Sequence, residues 1–272
     1  MPELVFERLS PLRRRLRGLF TESVANYTPA AVLRALLRFA KSELAASNWA
    51  NPGGWRSMVL SYQPRPRQVA DRIMVRCTMP MALRNRRRLA AHLLAQRIDA
   101  SPQRPVHVLC LGAGPGTIIL DALSLANAPA HATLVDLSSD AFDFGLRQAA
   151  QRGLADKVRY IQADIRDLSD YLDPPPHVVK MIGICEYLSD EQIVAIARAA
   201  AGLMAEGTSI LFNSMSRAHG TDRFLRRVFG LHMNHRTPAH LQGLLARAGF
   251  GRFVTHPEPL GVFHVIVGRK VG

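Results

Sequence analysis

The chain has 272 residues, of which 48% are hydrophobic, 21% are charged and 7% are aromatic. This composition excludes a disordered chain, a collagen and a small disulfide-stabilised protein, and it is typical of a globular protein with one large domain or a domain and an appendage. The apolar runs are much shorter than the roughly 20 residues of a membrane helix, and no signal peptide is predicted. Three cysteines without a Cys-x-x-Cys pair favour a reduced, cytoplasmic setting.

The net charge of +14 is concentrated near the N-terminus. Residues 1–100 contain 18 basic and 6 acidic side chains, whereas residues 101–272 contain 17 and 15. Two arginine clusters stand out, at 13–17 and 84–88. They are interpreted as solvated helix faces, as a docking patch for an acidic carrier protein or as a nucleic-acid surface. We favour the first two interpretations because the sequence contains no RNA-binding motif.

The first 100 residues have a helical pattern. Thr28-Pro29 predicts a helix start, and the apolar residues that follow it recur at spacings of three and four. A long helix is predicted over 81–97, with its arginines mostly pointing outward. A proline-rich linker, 101–105, ends this region. We therefore predict an N-terminal helical subdomain over 1–100, followed by a second domain over 101–272.

In the second domain, short apolar runs alternate with helical patterns. Strands are predicted at 106–111, 131–136, 158–162, 177–183, 208–213, 252–257 and 262–268. Helices are predicted at 116–126, 139–152, 189–204 and 237–248. Such alternation is typical of a parallel sheet with helices on both of its faces. The last two strands have no room for a helix between them, so they are predicted to form an antiparallel hairpin.

Three glycines at alternate positions follow the first predicted strand: Gly112, Gly114 and Gly116. Glycine allows a tight turn and a close approach of ligand to backbone, and the next helix begins with unpaired N–H groups. Asp136 ends the second predicted strand, where a carboxylate can accept hydrogen bonds from both hydroxyls of a ribose. Asp164 follows the third strand. Both carboxylates are therefore expected at the sheet edge where ligands bind.

The order and spacing of these motifs resemble the class I S-adenosylmethionine-dependent methyltransferases over about residues 105–268. A nicotinamide-binding domain is disfavoured because it usually has G-x-G-x-x-G, whereas this turn has G-x-G-x-G. The resemblance implies a seven-stranded Rossmann-like α/β sheet and S-adenosyl-L-methionine as the cofactor. It implies that the glycines line the methionine part, that Asp136 holds the ribose, and that the adenine is contacted by Leu137, Asp164 and Ile165. The residues so assigned to the cofactor are Gly112, Ala113, Gly114, Gly116, Asp136, Leu137, Asp164, Ile165 and Gly183.

In this fold the end of the fourth strand faces the reacting methyl group, so Glu186 and Tyr187 are the candidate catalytic residues. Glu186 would act as a base or hold a cationic group; alternatively it caps a turn while Tyr187 packs beneath the cofactor. Cys185 is disfavoured as a nucleophile because it has no Pro-Cys motif and ends an apolar strand. The Asn/Asp-Pro-Pro-Tyr/Phe signature of enzymes that methylate the exocyclic amines of bases is absent from the sequence.

No metal site is predicted, because the late histidines have no ligand spacing with a nearby acid. Two of them, His232 and His235, follow the fifth strand, where this fold often contacts the acceptor, but scattered surface histidines are the favoured interpretation. Asn213, Ser214 and Ser216 are further candidates for the border of the acceptor pocket. In methyltransferases of this class an N-terminal helical extension often forms a lid. Here the aromatic residues of that extension would either close an apolar pocket or form the core of the subdomain. These residues are Tyr27, Trp49, Trp55 and Tyr62.

The resemblance therefore favours methyl transfer to a small-molecule acceptor or to a metabolite bound to an acidic carrier protein. Two alternatives remain open: an RNA methyltransferase that uses the basic N-terminal region, and an enzyme that releases methylthioadenosine without methylating an acceptor. A cofactor-binding regulatory protein is disfavoured because the glycine turn and both acids are intact. The sequence does not set the oligomeric state.

Overall fold

The computed structural model describes residues 4–18, 22–63, 65–166 and 174–271. In the described part that precedes the first strand the chain is helical. Its helices are α1 (Pro11–Leu16), α2 (Glu22–Tyr27), α3 (Ala30–Phe39), α4 (Glu43–Ala50), α5 (Trp55–Tyr62), α6 (Val69–Met74) and α7 (Thr78–Ala100). Within these described ranges no helix combines the length and apolar character that crossing a membrane requires.

Strands and helices alternate from residue 106 onward. The elements are β1 (Val106–Leu111), α8 (Thr117–Leu125), β2 (Ala130–Asp136), α9 (Ser139–Gln151), β3 (Val158–Gln162), β4 (Val178–Met181), α10 (Asp190–Leu203), β5 (Ser209–Met215), α11 (Asp222–Phe224), α12 (Pro238–Ala246), β6 (Phe250–Pro257) and β7 (Phe263–Lys270). A π-helical turn, Leu225–Phe229, directly follows α11. The sequence pattern did not predict α11 or this turn.

The sheet has seven strands in the order β3-β2-β1-β4-β5-β7-β6. The first five strands pair in parallel, and β7 lies antiparallel between β5 and β6. The strand order reverses between β1 and β4, and ligands of open α/β sheets bind at the carboxyl ends of the strands beside such a reversal. The predicted fold class, a Rossmann-like sheet with a C-terminal antiparallel hairpin behind N-terminal helices, is confirmed.

Alternate residues of β1 enter separate cores on the two faces of the sheet. Val108 and Cys110 pack with α7 and α8, whereas Leu109 and Leu111 pack with α10 and α12. All of β1 is buried, which explains why every residue in it except His107 is apolar. The second half of α7, residues 89–98, belongs to the same core as Val108. Each such buried aliphatic side chain stabilises the fold by about 1.5–3 kcal/mol.

The expectation that the arginines of α7 point outward is wrong for Arg84 and Arg86, both of which are buried. Arg84 binds the Glu7 carboxylate through two hydrogen bonds of 2.6 and 2.7 Å. Arg86 pairs with an acid near the end of β4, and Arg87 pairs with Asp121 of α8. The helical period alone suggested a solvated face. It could not show the acidic partners, because they come from distant segments of the chain.

Candidate functional site

The glycine turn after β1 adopts backbone angles that favour glycine. Gly112, Gly114 and Gly116 have φ values of 61°, 51° and 72°, in the left-handed region that other residues rarely adopt. A Cβ atom at Gly112 would overlap the side chain of Ile184, and one at Gly116 would overlap Leu134. The turn thus needs glycine for its backbone angles and, at these two positions, for its packing.

Asp136 ends β2 beside this turn. One carboxylate oxygen accepts a 2.7 Å hydrogen bond from the Gly114 N–H, and the other accepts a 2.9 Å bond from the Ser138 N–H. Each carboxylate oxygen has a second lone pair. Asp136 can therefore fix the shape of the turn and still accept hydrogen bonds from the two hydroxyls of a ribose. The donor and acceptor set fits the cofactor that the sequence predicts.

A cleft of about 230 Å³, here termed the glycine cleft, lies over this turn. Six of the residues assigned to the cofactor line it: Gly112, Ala113, Gly114, Gly116, Asp136 and Gly183. Its other walls include Lys180 of β4 and Arg86 of α7. The α4–α5 loop and α5 cover the cleft with Trp55, Met58 and Tyr62. Two of these were among the aromatic residues noted in the sequence, but motif spacing gave no signal for Lys180 or Arg86.

The three residues assigned to the adenine do not line the glycine cleft. Leu137 is 66% exposed. Asp164 binds the Arg166 side chain and N–H, and these hydrogen bonds lower the pKa of its carboxyl to about 2. Ile165 packs against the core on the α10 side of the sheet. The residues that follow, 167–173, lie outside the described part of the chain, so the adenine assignments stay predictions.

A buried ion pair lies at the carboxyl end of β4. A 3₁₀ turn, Cys185–Tyr187, follows the strand and contains Glu186. Its Oε1 atom is 2.9 Å from Arg86 Nη1, and the two side chains are 5% and 2% exposed. Burial alone would lower the pKa of Arg86, but the Glu186 carboxylate and nearby tyrosines raise it by more. The guanidinium therefore stays charged and neutralises the carboxylate.

Gly183 allows this ion pair to approach the strand end. Its φ is 88°, and a Cβ atom there would lie 3.3 Å from Arg86 Nη2. The Gly183 N–H donates a 2.7 Å hydrogen bond to Asn213 Oδ1. Asn213 was expected at the acceptor; it is buried on β5 and instead holds the end of β4. Neither Ser214 nor Ser216 lines the glycine cleft or the second cavity described next.

A second cavity of about 560 Å³ adjoins the glycine cleft and is here termed the apolar cavity. It lies between helices of the N-terminal region and the segment 221–233. Glu186 lines the apolar cavity. Five residues line both spaces: Gly53, Met58, Arg86, Gly183 and Tyr187. Of the two predicted catalytic residues, Tyr187 therefore lies where the two spaces meet, and Glu186 lies beside it on the side of the apolar cavity.

The structure also indicates which chemical roles Cys185, Tyr187 and His232 can have at this site. Burial raises the pKa of the Cys185 thiol to about 12, so it is poorly suited to act as a thiolate nucleophile. The protein around the Tyr187 hydroxyl and the Glu186 carboxylate raise the pKa of this tyrosine, outweighing the opposite effect of Arg86, although 42% of the residue is exposed. Tyr187 therefore remains a neutral hydrogen-bonding group at neutral pH. His232 is exposed and lines neither cavity.

The sequence predicted no metal ligands, yet the fold brings His219, His235 and Asp222 together. The two Nε2 atoms are 3.4 Å apart, and His235 Nε2 is 3.7 Å from Asp222 Oδ1. Burial lowers the pKa of His219 to about 4, with smaller contributions from His235, Arg17 and Arg217. Because positive side chains surround the cluster, we interpret it as a neutral, stacked histidine pair.

Comparisons with known proteins concern the family and the fold of the chain. A family model described as "Putative methyltransferase" matches residues 66–270. No curated protein matches the chain. A possible exported protein from Bordetella parapertussis has a TM-score of 0.71 and 17% identity, over 97% of this chain and 100% of that chain.

Two further solved structures are methyltransferases. The N,N-8-amino-8-demethyl-D-riboflavin dimethyltransferase from Streptomyces davawensis has a TM-score of 0.54 and 19% identity, over 94% of this chain and 73% of its own. Human N-acetylserotonin methyltransferase, in complex with S-adenosylmethionine, has a TM-score of 0.52 and 16% identity, over 68% and 52%. At sequence identities this low, the similarity to these structures shows a shared fold only. The family match spans most of the chain, so the chain belongs to this methyltransferase family and is a class I enzyme whose cofactor is S-adenosylmethionine.

Proposed function

We propose that the enzyme methylates a hydroxyl or amine of a small-molecule acceptor held in the apolar cavity. One observation supports this proposal above the others: the apolar cavity meets the glycine cleft at Arg86, Gly183 and Tyr187. S-adenosylmethionine supplies an electrophilic methyl group. A molecule in the apolar cavity would reach that group only at this junction, which would orient the two reactants for an in-line displacement.

In this proposal Glu186 accepts the proton of the acceptor. Its Oε2 atom is buried and has no hydrogen-bond partner, while Oε1 is engaged by Arg86. An acceptor hydroxyl or amine could donate its hydrogen bond to Oε2 and pass its proton there as the new bond to carbon forms. Arg86 would position the carboxylate, and the Tyr187 hydroxyl would contact the polar end of the acceptor.

We also propose that the helical region acts as a lid, as the resemblance implied. The α5 cover is attached to α9 by exposed contacts: Trp55 Nε1 and Arg56 Nη2 each lie 3.2 Å from Asp140. Exposed polar contacts of this kind are individually weak, so the cover can open. Because α7 shares the core of β1, we propose that the lid ends before α7 rather than at residue 100.

The alternatives from the sequence have less support. Arg84, Arg86 and Arg87 bind acids of the chain itself, which leaves fewer free cations for RNA. The exposed cluster 13–15 could still bind an acidic carrier protein. Release of methylthioadenosine remains open because it would use the same glycine cleft. Because the three cysteines are free, we propose a reduced, cytoplasmic compartment.

The test is incubation of the enzyme with S-adenosylmethionine and a metabolite extract, followed by mass spectrometry of every product. We expect S-adenosylhomocysteine together with an acceptor that is 14 Da heavier, the mass of one added CH₂ unit. Methylthioadenosine with no methylated product would contradict the proposal and favour the alternative chemistry. Methylated RNA in a parallel incubation would contradict the assigned acceptor class.

A further inference from the structure

We infer that the acceptor is an uncharged, largely apolar molecule whose only polar group lies at the end that meets Arg86 and Glu186. This inference rests on the proposed function and specifies its substrate class. The apolar cavity, at about 560 Å³, is within the usual size range of small-molecule sites, 300–1,000 Å³. The question is which chemical character its walls require of an occupant.

Most of the wall consists of aliphatic and thioether side chains. The lining includes leucines of α3 and α4, methionines around α6 and at the start of α7, and Phe229 and Met233. Methionine is flexible and adapts to occupants of irregular shape. Such walls favour the burial of apolar surface and offer no hydrogen-bond partner to a polar group.

Three polar side chains of this wall are already engaged with the backbone, those of Asn48, Ser57 and Ser61, and the Thr221 hydroxyl contacts His219. Asn48 donates to the Leu44 carbonyl at 2.9 Å and accepts from the Gly53 N–H at 3.2 Å. The hydroxyls of Ser57 and Ser61 each donate to a backbone carbonyl at 2.8 Å. A polar group in the body of the acceptor would therefore lose its hydrogen bonds to water without equivalent replacements, which is costly.

The junction differs from the rest of the wall. Among the described residues that line the apolar cavity, the buried polar atoms without a hydrogen-bond partner are Glu186 Oε2 and Arg86 Nε. A hydroxyl or neutral amine at one end of the acceptor would satisfy Glu186 Oε2. Arg86 and Glu186 neutralise each other, so a charged acceptor would be buried without a counter-charge, at a large desolvation cost.

Binding of simple probes tests this inference without turnover. The full-length enzyme is titrated by calorimetry with straight-chain primary alcohols from butanol to octanol, and with carboxylates of equal length. We expect alcohol affinity to rise about threefold to fourfold per methylene, and each carboxylate to bind at least tenfold more weakly than its alcohol. Affinity that does not depend on chain length, or carboxylates that bind as well as alcohols, would overturn the inference.

A substitution in the wall of the apolar cavity tests where the alcohol probe binds. Leu36 lines the apolar cavity but is 57% exposed, so Leu36→Gln should fold normally. It should weaken octanol binding at least threefold and leave S-adenosylmethionine binding unchanged. Leu146→Gln, at an exposed position of α9 outside the cavity, is the matched control. Unchanged octanol affinity in Leu36→Gln would show that the probe binds elsewhere, which also overturns the inference.

The natural acceptor gives an independent readout. After incubation of a cell extract with methyl-labelled S-adenosylmethionine, the label should enter the organic phase of a chloroform extraction. Label found only in water-soluble metabolites would overturn the inference while the proposed methyl transfer stands. Alcohols that bind as expected, with no labelled product in any fraction, would instead contradict the proposed function and leave the character of the cavity established.

Discussion

Arg86 and Glu186 are 100 positions apart in the sequence, and their side chains form a 2.9 Å ion pair that is almost completely buried. The pair joins α7 to the turn after β4, at the junction of the glycine cleft and the apolar cavity. Removing one partner of such a pair leaves an uncompensated buried charge, which typically costs 3–5 kcal/mol, whereas replacing both partners costs much less. The pair is therefore expected to position the site rather than to increase stability.

This expectation predicts non-additive stability changes. Arg86→Met should lower the free energy of unfolding by about 3–5 kcal/mol, because Glu186 is left buried and unpaired. Arg86→Met combined with Glu186→Gln should recover part of that loss. Urea denaturation of the two single variants, the double variant and the parent completes the double-mutant cycle. Losses that simply add would mean that the two charges do not interact.

The glycine turn and Asp136 predict a specific loss of cofactor binding. Asp136→Asn keeps one oxygen acceptor but removes the other, so one ribose hydroxyl or one backbone N–H loses its partner. We expect S-adenosylmethionine to bind about tenfold more weakly or worse, since a lost buried hydrogen bond costs roughly 1–3 kcal/mol. Calorimetry measures the change. Asp156→Asn, at an exposed position before β3, is the control and should bind normally.

The sequence predicted the sheet closely because most residues of its fully buried central strands, such as β1, are apolar. For β1 and β3 the predicted and observed bounds coincide, and the other strands differ by only a few residues. The positions of the glycine turn and Asp136 were also predicted, since they depend on local motif spacing. Nothing local distinguishes Arg86 from its arginine neighbours, however, because its partner is 100 residues away. The apolar cavity likewise arises from packing between segments far apart in the chain.

The lid proposal predicts a modest effect on cofactor exchange. Asp140→Ala removes its hydrogen bond with Trp55 and its ion pair with Arg56, which are solvent-exposed and worth about 0–1 kcal/mol, and it leaves the ring contact of Trp55 with Phe144 of α9 in place. We therefore expect cofactor dissociation to become at most about fivefold faster, with little change in association, as measured by stopped-flow fluorescence. Asp143→Ala, at an exposed position of the same helix, should leave the rate unchanged. An equal effect in both variants would contradict the lid contact.

The buried histidine pair predicts how stability changes with pH. Burial lowers the pKa of His219 from its usual 6.5 to about 4, so the unfolded chain binds this proton more readily than the folded chain. The contribution of His219 to stability is complete above about pH 6.5, and it is lost as the pH falls towards 4. At about pH 4 the stability that has been lost amounts to as much as about 3 kcal/mol. His219→Asn should flatten the curve of unfolding free energy against pH in this window, whereas exposed His232→Asn should not.

The proposed chemistry depends most directly on Glu186. Glu186→Gln keeps the shape of the side chain and its contact with Arg86 but removes the charge that would accept the acceptor's proton. If Glu186 is the base, turnover should fall by about 10²-fold or more, while calorimetry should find S-adenosylmethionine affinity nearly unchanged. Glu191→Gln, at an exposed position of α10, is the matched control and should retain full turnover.

Arg86→Met separates this role from mere positioning. It leaves the Glu186 carboxylate in place but without its partner, so a pair that only positions the site predicts a turnover loss in Arg86→Met at least as large as in Glu186→Gln, which keeps the contact. A base should make Glu186→Gln much the more severe of the two. Equal losses would assign Glu186 to positioning. If Glu186→Gln retained normal turnover, the acceptor would have to lose its proton without this carboxylate, and Tyr187, the other polar side chain at the junction, would be the next residue to substitute.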